Sequence, residues 1–147
     1  MRSSMKNRGF TLIEVLVVIG IIAILAAIVV VAINPARQFS QANNSQRWSN
    51  VNAILNAVHQ YSIDNRGALP GVMSTTTTAI CVTSPVSSSS CVNLASTLVP
   101  TYIVSIPTDP TASTVNNSGY TIATTTGNRI VVSAPSAELG AVITVTR

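Results

Sequence analysis

The sequence predicts an α+β chain: a long N-terminal helix, apolar in its first half and amphipathic in its second, packed on a small C-terminal antiparallel sheet of about three strands. Three observations carry this. From Val15 to Ile33 no residue is charged and none is more polar than Gly20. From Phe39 onward apolar residues recur at spacings of three and four, which marks one face of a helix. Three β-rich segments close the chain, Gly119–Ala123, Arg129–Ser133 and Ala141–Thr146, with turn residues between them.

The apolar run sets the first element. A membrane span needs roughly 20 apolar residues, and a segment isolated in lipid satisfies its backbone only as a helix. The run is rich in β-branched residues, which favour strand in water, but its length and lack of alternation decide for helix. Arg2, Lys6 and Arg8 precede it, with no acid before Glu14. The excess of positive charge places the N-terminus in the cytoplasm and the rest outside, with Arg37 a single counter-vote. Secretory signal peptides have apolar cores of about 7–15 residues and a small-residue cleavage site after them. Here the core is longer and Asn34-Pro35 follows it. No cysteine follows to take a lipid. Hydropathy alone leaves a plain signal-anchor helix.

Glu14 adds a further constraint. An acid at the centre of a membrane helix costs about 2.5–3.5 kcal/mol, and less near the interface, so such residues usually have a partner. A free amine created at Phe10 would supply one, from the same chain one helical turn away or from a neighbouring chain. Dry surroundings strengthen that attraction, and desolvation offsets part of it.

Gly9-Phe10-Thr11-Leu12-Ile13-Glu14, the apolar run and the basic residues before Gly9 resemble the N-terminus of type IV pilins and pseudopilins. The resemblance covers about a quarter of the chain. It implies cleavage between Gly9 and Phe10 by a membrane prepilin peptidase, and N-methylation of the new Phe10 amine by the same enzyme. It also implies that Glu14 meets the N-terminal amine of an adjacent subunit during assembly. The expected parts are a leader at 1–9, a membrane or filament-core helix at 10–34, its amphipathic continuation at 35–66 and a head at 67–147.

Removing the leader changes the charge balance. The chain has eight Lys and Arg against four Asp and Glu. Without Arg2, Lys6 and Arg8, five bases face those four acids. The pI of about 9.7 therefore belongs mostly to the leader. The inference to nucleic acid that a basic pI invites nearly vanishes. The head offers no basic stripe with interleaved aromatics, so only weak, salt-sensitive nucleic-acid binding is expected.

Pro35 removes one backbone hydrogen bond and interrupts the helix locally. Family members often carry a helix-breaking proline a few residues earlier, so only the idea of a local break carries over. Beyond it, Trp48, Val51, Leu55, Val58 and Ser62 form one face, with Ile54 and Tyr61 beside them. Trp48 and Tyr61 read as core residues, and Gln46, Arg47, Asn50 and Gln60 lie elsewhere around the helix. Asn65 and Gly67, then Leu69-Pro70, end it. His59 has no second ligand at metal spacing and reads as a surface helix residue.

Gly71–Ser90 is rich in Ser and Thr and reads as loop or irregular edge. Cys81 and Cys91 bracket a Ser-rich piece of it. Outside the cytoplasm two such cysteines form a disulfide most simply; two metal thiolates would lack the other ligands. Leu94–Leu98 suits a short helical turn, and Val99–Pro110 a turn-rich connection.

No enzyme signature survives. One histidine and four acids supply no hydrolytic triad, and there is no phosphate loop or zinc-spaced pair. Asp109 lies in a loop of the kind that holds calcium in some pseudopilins. Calcium takes six to eight oxygen ligands, often several of them carboxylates. Outside the membrane segment only Asp64, Asp109 and Glu138 are available. No cofactor or metal is expected. Expected partners are copies of this chain or other pilins, the peptidase, the assembly machinery and inner-membrane lipid. The expected course is a single pass in the cytoplasmic membrane, N-terminus inside, followed by an extracellular or envelope-spanning filament.

Overall fold

The computed structural model describes residues 9–71, 73–82 and 91–147. Arg2, Lys6 and Arg8 of the expected leader, and Ser87–Ser90, lie outside them. The chain forms two compact units, one ending at Gln38 and the other Phe39–Arg147.

The first unit holds α1, Leu12–Ile33, a 22-residue helix in which no residue is buried. It is long and apolar enough to cross a membrane, at about 33 Å from the 1.5 Å rise per residue. It stops at Asn34, whose backbone is left-handed at φ 49°. Asparagine tolerates that conformation better than most residues. Asn34 also opens the next helix: its carbonyl accepts from the Arg37 N–H at 3.1 Å and its Oδ1 from the same N–H at 3.4 Å. Pro35 is the first residue of α2, Pro35–Asp64, where its missing N–H has no intrahelical partner to lose. The interruption expected at Pro35 thus falls on Asn34.

From Phe39 onward α2 belongs to the second unit. It ends where Gly67 donates its N–H to the Ser62 carbonyl at 2.7 Å, with Arg66 at φ 58° and Gly67 at φ 90°. That six-to-one bond ties up a carbonyl the last turn leaves free.

The sheet has five strands rather than three: β1 Thr78–Cys81, β2 Cys91–Val92, β3 Asn117–Thr124, β4 Ile130–Ala134 and β5 Ile143–Thr146, in the order β2-β1-β3-β4-β5. β3, β4 and β5 form the expected antiparallel meander, with Ile122 opposite Val132 and Val132 opposite Val145. β1 extends it antiparallel to β3, and β2 runs parallel to β1, so the sheet is mixed. The loop assignment for residues 71–90 is corrected at Thr78–Cys81. Polarity suggested a loop, but threonine is β-branched and suits extended backbone. Its pairing partner lies about forty residues away in the sequence. The short helix α3, Ala95–Leu98, follows β2 and buries Leu98.

One core joins α2 to the sheet. Val51, Ile54, Leu55 and Val58 pack with Ile80, Tyr120, Ile122, Ile130, Val132 and Ile143, together with Leu94 and Leu98. Val51, Leu55 and Val58 of the predicted helix face are buried as expected. The face departs at its start, where Trp48 is 42% exposed and the polar Arg47 and Asn50 are buried instead. Tyr61 packs against the core as expected, its ring edge-on to Tyr102 at 5.6 Å.

Candidate functional site

The N-terminal motif is organised by a capping box. Gly9 and Phe10 precede the helix, and Phe10 is 83% exposed. Thr11 is the N-cap of α1, with extended backbone at φ −83° and ψ 151°. Its Oγ1 accepts from the Glu14 N–H at 3.3 Å, and its own N–H donates to Glu14 Oε2 at 3.5 Å. Each side chain thus satisfies a donor that the first helical turn leaves free. A carboxylate there also faces the positive end of the helix dipole. The Thr11-x-x-Glu14 spacing is a local signal of this box. Phe10, Glu14, Val15, Val18 and Ile19 line a shallow groove along one side of the helix. Chemically, this segment presents one carboxylate at the mouth of an otherwise unbroken apolar surface.

A family model described as the prokaryotic N-terminal methylation motif matches residues 4–30. Over 65 residues the chain is 40% identical to the type II secretion system core protein G of Escherichia coli (strain K12). Both likenesses cover less than half of the chain. The alignment spans 44% of this chain and 43% of that relative. No solved structure matches this chain. Among the described residues one helix, α1, is long and apolar enough to cross a membrane, and with the matched motif it fits anchoring in the inner membrane.

In the second unit, another cluster fastens α2 to two loops. Arg47 is fully buried. Its Nε donates to Asp109 Oδ2 at 2.7 Å and its Nη2 to Asp109 Oδ1 at 3.1 Å. The same Nη2 reaches Thr111 Oγ1 at 2.6 Å, and Nη1 reaches Asn44 Oδ1 at 3.0 Å and Glu138 Oε2 at 3.2 Å. All five guanidinium N–H groups therefore have acceptors. Asn44 also closes on the Glu138 backbone, accepting its N–H at 2.9 Å and donating to its carbonyl at 2.8 Å. One turn on, Asn50 donates to the Tyr120 hydroxyl at 2.8 Å and to the Thr108 carbonyl at 3.2 Å.

Burial pushes the Asp109 carboxyl up, but Arg47 and the N–H groups of Thr111 and Ala112 outweigh it and hold the group below the usual carboxylate range. The bond to Asp109 holds Arg47 above its ordinary value. Burial raises the Tyr120 hydroxyl. Arg47 and Asn50, expected off the packed face, are buried in it, and Asp109 is buried with them rather than free in a loop. Its carboxylate is already engaged by a cation and by two backbone N–H groups.

The remaining candidates are placed as follows. Cys81 and Cys91 are joined by a disulfide that ties β1 to β2. His59 is half-buried on α2, and its Nε2 has no hydrogen-bond partner among the described residues. Among the described residues, no three His, Cys, Asp or Glu side chains gather where they would hold one metal ion.

Proposed function

We propose that this chain is a structural subunit of a type IV pilus-like filament. Processing removes residues 1–9, the Phe10 amine is methylated, and α1 then leaves lipid to pack against α1 of other subunits. The observation that carries this is α1 itself: 22 residues with an unburied apolar surface, broken only by Glu14 at its mouth. Such a surface needs lipid or other helices around it, and in either setting an unmatched charge is penalised. The Gly9–Phe10 bond precedes the helix, in backbone open to a peptidase. Cleavage would put a cationic amine next to Thr11, within one turn of the Glu14 carboxylate. The capping box holds Glu14 until that amine, or a neighbour's, takes it. The role is structural and not catalytic, as in the pilin and pseudopilin families generally.

The identity to a type II secretion core protein supports a second reading, a pseudopilin of a secretion machine or a related DNA-uptake machine. Both readings share the N-terminus and differ in the finished assembly. A long surface fibre favours the pilus; a short assembly confined to the envelope favours the pseudopilus. A third reading, a signal-anchored binding protein that never polymerises, predicts an unmethylated chain.

Mass spectrometry of the mature protein from sheared filaments tests processing and membership together. The expected species starts at methylated Phe10 and keeps the Cys81–Cys91 bond. Glu14→Ala is expected to be cleaved normally and assembled poorly. Normal filament yield from that variant would refute the role given to Glu14.

A further inference from the structure

The second unit holds α2 by two chemically different halves. Over Ser40–Asn50 every side chain that is not exposed is polar: Ser40, Asn43, Asn44, Arg47 and Asn50. From Val51 the buried residues of the helix are Val51, Ile54, Leu55, Ala57 and Val58, all apolar. Apolar burial is non-directional and roughly proportional to area. Hydrogen bonds weaken steeply once distance and angle are lost. The polar half is also knotted together. One guanidinium serves Asp109, Thr111, Asn44 and Glu138, and Asn44 in turn holds the Glu138 backbone. Moving Arg47 away breaks these bonds together. When that half lifts, Arg47 and Asp109 both reach water, so opening leaves no buried unpaired charge. Removing one partner from a closed site does leave one.

We propose that Ser40–Asn50 is a releasable dock with Arg47 as its latch. This half of α2 detaches from the head as one unit while the Val51–Val58 core stays shut. Local openings of this kind occupy the low end of a protein's stability range. In chain order the dock is the head's first contact after α1, so tension carried along α1 reaches it before the core. That use rests on the filament reading; the opening itself does not.

The test is amide hydrogen exchange by mass spectrometry on the full chain in detergent micelles, comparing wild type with Arg47→Met. Methionine keeps an unbranched stem and a good helix propensity. Amides of Gln41–Asn50 are expected to exchange roughly tenfold faster or more, and those of Ile54–Tyr61 to stay within about twofold. Parallel acceleration of both halves would show one cooperative core and overturn the proposal, as would unchanged exchange in Gln41–Asn50. Asn44→Ala removes the Glu138 backbone clasp without stranding a charge. It is expected to give the same asymmetric pattern, at about threefold, and decides the question if Arg47→Met does not fold. Filament yield enters neither measurement, so a failed dock and a failed filament assignment remain distinguishable.

Discussion

Gly119→Ala probes the fit between β3 and the Asp109 loop. Gly119 has φ +84°, a left-handed backbone that costs a residue with a Cβ about 1–2 kcal/mol. A Cβ built there would stand 2.5 Å from the Asp109 Cβ and 3.4 Å from the Ala112 carbonyl group. Asp109 has little room to yield, because its N–H donates to the Ser118 carbonyl at 2.7 Å and its carboxylate is clamped by Arg47. Crowding of this kind adds about 1–3 kcal/mol. The total, about 2–5 kcal/mol, is a large part of the 5–15 kcal/mol typical of a domain.

Gly67→Ala supplies the comparison. Its φ is +90°, but nothing lies within 4 Å of its added Cβ, so backbone strain acts alone. Thermal unfolding of the full chain in micelles, followed by circular dichroism, reads both. At about 4–8 °C per kcal/mol, Gly119→Ala should lower Tm by about 8–40 °C and Gly67→Ala by about 4–16 °C, the crowding term alone separating the two by about 4–24 °C. Equal losses would refute the packing argument and leave only the backbone term.

Three further outcomes follow from the same structure. The Asp109 carboxyl lies below its ordinary range, so it stabilises the fold above the unfolded value of about 4 and loses that contribution as pH falls through its folded value; acid titration of Tm should be shallower below about pH 4 in Asp109→Asn than in wild type. Reducing Cys81–Cys91, ten residues apart, should lower stability by about 2–3 kcal/mol in urea unfolding with and without reductant; an unchanged midpoint would contradict it. Thr11→Val removes the N-cap oxygen and should cost the first turn of α1 about 1 kcal/mol, seen as faster amide exchange at Ile13–Leu16 with later amides unaffected.

Much of the fold was legible because its signals are local. The turn chemistry at Asn65–Gly67 and at Gly140 bounded its elements correctly, although Arg66 and Leu139 share the left-handed positions with the glycines. The β3–β5 meander followed from alternation and turn residues. β1 and β2 did not, since a four-residue and a two-residue strand are held by a distant neighbour and a covalent bond rather than by their own pattern. The helix face was misjudged at Trp48 for a related reason. Hydropathy ranks tryptophan inside and arginine outside, yet an arginine is buried wherever enough acceptors converge on it.

By itself the sequence determined the apolar N-terminal element: the Gly9-Phe10-Thr11-Leu12-Ile13-Glu14 segment and the uncharged run to Ile33. Contiguous residues suffice there, because a helix in an apolar medium satisfies its backbone internally. Only the tertiary structure decided how the head is fastened. Arg47 and Asp109 are 62 positions apart, and Arg47 and Glu138 are 91 apart. Whether a charge is buried with partners or left in water depends on that convergence in space, which no local pattern of residues encodes.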